Sequence, residues 1–399
     1  MRGYLQLLRT PGAAWLVGTS LVGRLSIAVL EVPLILLARR ATGSYGWAGL
    51  AAGAFSVGIA VSAPLRGRAI DRLGARIAVP PLAVFHAAAL LGIAVAGHER
   101  VGAAVVVAAA AAGLSAPALP AAMRLEWQGL LGRTDPRLGQ AYAFESVAQV
   151  SLFVVGPLLA GAGIALAGSA WTMAAASALT VTGGPAFALR ARVRGTRADG
   201  ARRRERSPIG LAGVRTLVAA TLLSDAALGA VSVAVVAFAD QRGHAAVAGL
   251  LLAVFSSSSV VGGAAYGARR WAAPPQRRLA GLMAFAAAAL LVLAAANSLV
   301  VLGVLLVLAG APFTAQWATT SLALDQVTPS SAGAEAYNWL SAANSAGVAL
   351  GSLAAGVLVQ STATWAGFVA AAGAVALAAV FVVRRSGTLT APAPSAPLD

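Results

Sequence analysis

The sequence contains no cysteine, no lysine and only three histidines, His86, His98 and His244. The lack of cysteine excludes disulfide bonds, thiolate nucleophiles and cysteine-based metal sites. The histidines lie far apart in the sequence, which argues against a histidine metal cluster. Acidic residues are also scarce, and no nucleophile stands beside a base in a catalytic pattern. We therefore expect no cofactor, no bound metal and no enzymatic activity.

Apolar residues dominate the chain. Hydrophobic residues make up 59% of it and charged residues 11%, with a mean hydropathy of +0.81. A soluble domain must present polar side chains to water, so this composition predicts an integral membrane protein whose partner is the lipid bilayer. The formal net charge of +16 comes from arginines between the apolar runs, so it does not indicate a nucleic-acid partner.

Twelve stretches are long and apolar enough to be membrane spans, each of which needs about 20 residues. The runs are continuous rather than alternating, so they predict helices and not a β-barrel. The sequence thus predicts an all-α membrane protein with spans at 12–38, 46–66, 77–97, 101–122, 140–166, 169–190, 213–239, 245–268, 279–297, 299–323, 333–360 and 363–384.

Arginine placement predicts the orientation of these spans. With both termini in the cytoplasm, Arg24 lies inside span 1 and only four arginines face outside, namely Arg39, Arg40, Arg100 and Arg242. We therefore expect a multi-pass protein of the inner (plasma) membrane, monomeric, with both termini cytoplasmic. The predicted units are a six-helix bundle at 1–190, a basic cytoplasmic linker at 191–212, a second six-helix bundle at 213–385 and a disordered tail at 386–399.

Internal repeats support two related bundles. The tripeptide Ala-Gly-Leu at 48–50 recurs at 248–250, an offset of 200 residues. The segment from Tyr142 to Gly161 recurs from Tyr337 to Gly356, with shared glycines and serines at an offset of 195 residues. Two such repeats of six spans each have the same orientation in the membrane, as expected for bundles related by an axis along the membrane normal.

A basic motif with one acid follows span 2. Residues 67–76 read Gly-Arg-Ala-Ile-Asp-Arg-Leu-Gly-Ala-Arg, and we expect a tight turn between two membrane helices. In this turn Gly67 would allow a close helix approach, and Gly74 would adopt a backbone conformation that a side chain opposes. Arg72 and Arg76 would hold the turn in the cytoplasm, while Asp71 would accept hydrogen bonds from a neighbouring helix N-terminus.

This motif fits the pattern G-x-x-x-D-R-x-G-x-R and resembles the signature loop between helices 2 and 3 of the major facilitator superfamily. The resemblance implies two bundles around a central cavity that opens alternately to the two sides of the membrane. It also implies that Asp71 meets the cytoplasmic end of span 11 when that side is closed. Glu335 lies near that end, where it could pair with Arg72 or Arg76. The predicted role of Asp71 is a latch.

Two further elements are similar to family patterns. Gly156, Pro157 and Gly161 resemble the G-P-x-x-G-G element of drug:proton antiporters, although alanine replaces one glycine. Pro157 would bend span 5, and Gly161 would permit close packing. Residues 124–129 resemble the R-x-x-Q-G element of span 4, but their spacing is one residue too long, which weakens the antiporter interpretation.

Ionisable groups inside spans are costly, so they are candidates for function. Arg24 and Glu31 lie on one face of span 1, seven residues or roughly 10 Å apart. The repeat places Arg24 opposite Asp225 of span 7. We expect these two side chains to pair across the cavity in at least one conformation, either as a structural lock or as part of the transport cycle.

Polar residues also follow spans 5 and 11. Glu145 and Gln149 share one face of span 5, and Asn338 and Asn344 occupy the matching region of span 11. Such stripes either line a common aqueous path or form hydrogen bonds that hold the bundle together. Burial disfavours the charged form of a carboxylate, so Glu145 is a candidate proton carrier.

Three functions remain open from the sequence. The first is proton-coupled export of small amphipathic or cationic molecules, suggested by the acidic groups and the element in span 5. The second is an uptake or symport permease for a small metabolite, because Arg24 could hold an anionic group. The third is a non-transporting membrane receptor on the same scaffold, against which the intact latch motif argues.

Overall fold

The computed structural model describes residues 6–132, 135, 137–192, 207–329 and 332–389. Its long elements within these residues are α-helices, named here α1 (Ala13–Thr42), α2 (Tyr45–Leu73), α3 (Ala75–His98), α4 (Gly102–Ser115), α5 (Leu119–Leu131), α6 (Leu138–Arg190), α7 (Ala212–Asp240), α8 (Val247–Ala268), α9 (Pro275–Val292), α10 (Leu299–Gly310), α11 (Pro312–Val327), α12 (Gly333–Ser361) and α13 (Thr364–Arg384).

These helices form the twelve predicted spans. Eleven described stretches are long and apolar enough to cross a membrane, and one of them, α6, has 53 residues. A helix of that length would extend about 80 Å, far more than one bilayer core requires. Gly168 divides α6 into spans 5 and 6, because its φ of 82° and ψ of 169° are not helical. Span 4 comprises α4 and α5, and span 10 comprises α10 and α11.

Two helix pairs make the most extensive contacts between the first six spans and the last six. Span 2 packs against span 11, and span 5 packs against span 8. We name the side of the bundle at which span 1 begins and span 12 ends the terminal side, and the opposite side the distal side. Both crossings lie towards the distal side, because they use the beginnings of spans 2 and 8 and the ends of spans 5 and 11.

The repeated glycines form these two crossings. A β-carbon built on Gly49 would come within 3.2 Å of the α-carbon of Gly356. In the same way, a β-carbon on Gly249 would come within 2.8 Å of the α-carbon of Gly161. The backbones thus approach closely because neither partner has a side chain. Each copy of the repeat supplies one glycine to each crossing.

The motif at 67–76 differs from its predicted form. Helix α2 continues to Leu73, so Gly67 is helical and a β-carbon there would meet open space. The expectation that Gly67 permits a close helix approach is therefore wrong for this structure. The turn is confined to Gly74, whose φ of 77° confirms the predicted need for glycine.

The predicted tail begins with ordered residues. Ser386–Leu389 form a 3₁₀ turn, and the side chain of Leu389 is fully buried. The Thr388 hydroxyl lies 2.9 Å from the Thr216 hydroxyl of span 7, which attaches this turn to the bundle. The expectation of disorder from residue 386 is therefore wrong for these four residues. Residues 193–206 of the predicted linker and 390–399 of the tail lie outside the described residues.

Candidate functional site

A buried ion pair joins spans 1 and 5. Arg24 Nη2 lies 2.7 Å from Glu145 Oε2, and the side chains are 4% and 6% exposed. The other carboxylate oxygen of Glu145 accepts a hydrogen bond of 3.2 Å from the Trp127 indole of span 4. Arg24 also donates to the backbone oxygen of Leu119 in span 4 at 3.4 Å. The predicted pair of Arg24 with Asp225 is therefore wrong for this conformation, because a closer acid neutralises Arg24.

The last six spans contain a corresponding network. The Asn344 amide of span 11 donates to Asp225 Oδ2 of span 7 at 2.8 Å. The adjacent Ser224 hydroxyl donates to Gln316 Oε1 of span 10, also at 2.8 Å. Spans 7, 10 and 11 are thus joined as spans 1, 4 and 5 are. The two networks differ in charge, since an arginine faces the carboxylate in the first and an amide faces it in the second.

The remaining cavity candidates lie at different depths. Glu31 is partly exposed and interacts with the Ser232 hydroxyl of span 7, across the boundary between the two sets of spans. Gln149 Oε1 is buried and has no hydrogen-bond partner within the part of the chain that the structure describes. Asn338 is exposed, six residues or about 9 Å from Asn344 along span 11. The structure therefore does not bring Asn338 into the Asp225 network.

Tyr45 connects the two sets of spans on the distal side. Its hydroxyl donates to Asp240 Oδ2 at the end of span 7, with a distance of 2.6 Å. Its backbone N–H donates to Gln360 Oε1 at the end of span 11, at 2.9 Å. The Arg39 guanidinium lies 4.9 Å from the centre of the Tyr45 ring. This cluster was not predicted from the sequence, in which a tyrosine and an acid at the distal ends of spans 2 and 7 were the available signal.

The latch predicted for the closed terminal side is not formed among the described residues in this conformation. Asp71 is exposed and lines a cleft of about 480 Å³ together with Gly67 and Arg124. It forms no salt bridge with any residue that the structure describes. Glu335 accepts a hydrogen bond from the Ser207 hydroxyl instead of pairing with Arg72 or Arg76. The predicted partnership of Glu335 is therefore wrong in this conformation, because neither Arg72 nor Arg76 lies within 4 Å of its carboxylate.

A second buried arginine, Arg66, lies in the terminal half of span 2 and was not among the candidates predicted from the sequence. Arg66 is 8% exposed and donates hydrogen bonds to the backbone oxygens of Ala116 and Ile59. His86 Nδ1 lies 2.8 Å from the backbone oxygen of Ala112. These groups cap carbonyls near the break in span 4, where the C-terminal end of a helix favours positive charge. Their position assigns them to the structure of span 4.

The element in span 5 is a packing feature. Gly156 faces Ala28 of span 1, and a β-carbon on Gly161 would come within 2.6 Å of the backbone oxygen of Ala246. Pro157 lies inside α6 without a break in the helical dihedral angles, since the only non-helical residue within α6 is Gly168. Gly161 therefore permits close packing as predicted, and it does so between the two sets of spans.

Comparisons with known proteins agree with this arrangement. The sequence pattern of the Major Facilitator Superfamily matches residues 15–334. No curated protein matches the chain significantly in sequence. Three solved structures share its fold over nearly the full length of both chains.

The first is a variant of the nucleoside transporter NupG, with 14% identity, a TM-score of 0.70 and coverage of 93% of this chain and 99% of that chain. The second is the human organic anion transporter MFSD10 (TETRAN), with 18% identity, a TM-score of 0.61 and coverage of 92% and 98%. The third is a bacterial homologue of the iron transporter ferroportin in an inward-facing state, with 16% identity, a TM-score of 0.71 and coverage of 94% and 98%.

Proposed function

The chain belongs to the Major Facilitator Superfamily, and from that premise we propose that it is a proton-coupled exporter of small amphipathic or cationic molecules. Transport would proceed by alternating access, in which the first six and the last six spans move as two units around a central cavity. Family membership and the transporter fold support transport. The buried charges support the substrate class, and the conformation supports the direction.

The unequal pairing of buried charges carries this proposal. Arg24 is matched by Glu145, which leaves that site without net charge. Glu31 and Asp225 have no cationic partner within 4 Å among the described residues, and their contacts are a serine and an asparagine. A cavity with unmatched carboxylates attracts protons and cationic substrates, whereas an anionic substrate would be repelled unless both acids were protonated.

The conformation supports a direction of opening. The glycine crossings and the Tyr45 contacts hold the distal side together, whereas Asp71 and Glu335 are exposed on the terminal side. The arginine distribution supports a cytoplasmic location for the terminal side in an inner membrane. In this assignment the observed conformation would be open to the cytoplasm, the state in which an exporter loads its substrate.

Proton coupling would use Glu145 together with Asp225. When Glu145 binds a proton, its ion pair with Arg24 is lost, and a buried arginine without a counter-charge is unfavourable. Protonation of Asp225 likewise changes its hydrogen bond with Asn344. Either event weakens a contact between helices that line the cavity. Protons could thereby bias the equilibrium between the two access states.

A symport permease for a small anionic metabolite is the second candidate. One observation favours it: Arg24 Nε is buried and has no hydrogen-bond partner in the described part of the chain. An anionic group near span 1 could accept a hydrogen bond from this N–H. If the protein is such a permease, we expect its anionic substrate to compete with Glu145 for the Arg24 guanidinium.

Inside-out vesicles test the first candidate. An acid interior would be generated in vesicles with wild-type protein, and pools of cationic and amphipathic compounds would be added while internal pH is recorded. We expect some cationic pool to dissipate the gradient with wild type and with Glu335→Gln, which alters an acid outside the cavity. Glu145→Gln or Asp225→Asn should abolish this effect. Dissipation by anionic pools alone would support the permease, and no response to any pool would contradict both.

A further inference from the structure

The loop between spans 8 and 9 carries a basic cluster without an acid. By the offset of 200 residues, Gly267 corresponds to Gly67, but Trp271 replaces Asp71. Four arginines follow within residues 269–278, and the stretch 268–281 contains no Asp or Glu. In the first copy the acid lies among the arginines. The second copy has lost the acid and gained an exposed aromatic ring.

Trp271 is held rigidly in this loop. Its ring stacks on Tyr266 with 4.7 Å between centroids, and its indole N–H donates to the Tyr266 backbone oxygen at 2.9 Å. The Arg269 guanidinium lies 5.0 Å from the centre of the Trp271 ring. The Tyr266 hydroxyl lies 2.8 Å from the Thr319 hydroxyl of span 10, which ties the cluster to the bundle. The aromatic platform is therefore preformed.

The arginines around this platform retain free donors. Arg278 Nη1 donates to the Tyr266 hydroxyl at 3.0 Å, while its Nε is buried without a partner among the described residues. Arg270 and Arg277 are exposed, and no described carboxylate lies within 4 Å of either guanidinium. Three guanidinium groups thus offer N–H donors with no anion from this chain to accept them.

We propose that this cluster, formed by Tyr266, Arg270, Trp271, Arg277 and Arg278, binds the head group of an anionic phospholipid. Arginine clusters directly beside membrane helices attract anionic lipids, and guanidinium groups match phosphate oxygens in geometry. A tryptophan at a membrane interface places its ring at the depth of the head groups. The bound lipid would anchor the terminal ends of spans 8 and 9 to the bilayer.

Fluorescence quenching by brominated lipids tests this site. The full-length protein would be placed in nanodiscs of phosphatidylcholine that contain a small fraction of brominated phosphatidylglycerol or brominated phosphatidylcholine. The difference between wild type and Trp271→Phe isolates the signal of Trp271 from that of the other tryptophans. We expect the phosphatidylglycerol probe to be preferred over the phosphatidylcholine probe by about tenfold at this position.

Charge neutralisation provides the decisive comparison. The double substitution Arg270→Gln with Arg277→Gln should reduce the preference for phosphatidylglycerol at least fivefold. The matched control is Arg384→Gln with Arg385→Gln, which removes two exposed arginines from the same side of the bundle and should leave the preference unchanged. Should the double variant fail to fold, Arg270→Gln alone serves. Equal quenching by both probes, or an equal loss in the control, would overturn the proposal.

Discussion

Arg24 Nη2 and Glu145 Oε2 lie 2.7 Å apart in the interior of the bundle, and more than nine tenths of each side chain is buried. The pair joins span 1 to span 5, two helices that also meet where Gly156 faces Ala28. Because both charges are removed from water, the site is tolerable only while both partners are present. The pair is thus a structural requirement and a point at which a proton can act.

Removing either partner alone should destabilise the protein. We expect Arg24→Gln or Glu145→Gln to lower the free energy of unfolding by about 3 kcal/mol, because each leaves a buried group without its partner. The double variant should lose much less than the sum of the two single losses. Thermal or denaturant unfolding in detergent measures all three variants.

The same cycle with Asp225→Asn provides the control. Asp225 contacts Asn344 and not Arg24, so its substitution should add independently to that of Arg24. A coupling between Arg24 and Asp225 as large as that between Arg24 and Glu145 would contradict the observed pairing.

The pairing of Arg24 shows the limit of sequence symmetry. The repeat offset placed Arg24 opposite Asp225, and both residues are buried, each in a network within its own set of spans. The offset could not show whether Arg24 pairs with Asp225 or with Glu145. The packing of span 1 on span 5 decides this, because it brings together residues 121 positions apart. The spans, the repeat and the glycine at position 74 followed from hydropathy and backbone preferences. The choice among buried partners depended on helix packing, which periodicity does not encode.

The distal cluster was missed for a related reason. Tyr45, Asp240 and Gln360 each lie at a span end, where polar residues are common and carry little information. Their convergence depends on the crossing of spans 2 and 11, whose glycines were recognised as a repeat but not as contact partners. Glycines that correspond in the repeat do not meet each other, because Gly49 meets Gly356 and Gly249 meets Gly161.

Loss of the Tyr45 hydroxyl should favour opening of the distal side. We expect Tyr45→Phe to shift the conformational equilibrium about fivefold, since one hydrogen bond contributes roughly 1 kcal/mol. The lack of native cysteine permits a clean measurement with Ser341→Cys, an exposed position in span 11 near the terminal side. The rate at which a thiol reagent labels this cysteine should fall when Tyr45→Phe is added, because opening of the distal side disfavours the observed state. Tyr142→Phe, which removes a hydroxyl bonded to Gln128 within the first six spans, should leave the rate unchanged.

Asp71 should matter for transport but not for the stability of the observed state. It forms no salt bridge with a described residue here, so Asp71→Asn should leave the melting temperature nearly unchanged. If Asp71 latches the closed terminal side, the same variant should reduce the transport rate at least tenfold while substrate binding persists. Glu335→Gln, which alters the acid bonded to Ser207, is the matched control for binding and stability. Loss of binding in a folded Asp71→Asn protein would contradict the latch.

The glycine crossings should control closure of the distal side. A β-carbon on Gly249 would come within 2.8 Å of the Gly161 α-carbon, so Gly249→Leu forces the two backbones apart. We expect this variant to lose most of its transport activity. We also expect slow labelling of the cysteine in Ser341→Cys, because the observed state, in which the distal side is closed, becomes unfavourable. Gly373→Leu provides the matched control, since a β-carbon at Gly373 of span 12 meets open space. Equal defects in both variants would mean that the loss comes from helix propensity or membrane insertion. Normal transport in Gly249→Leu would show that the crossing has no role in gating.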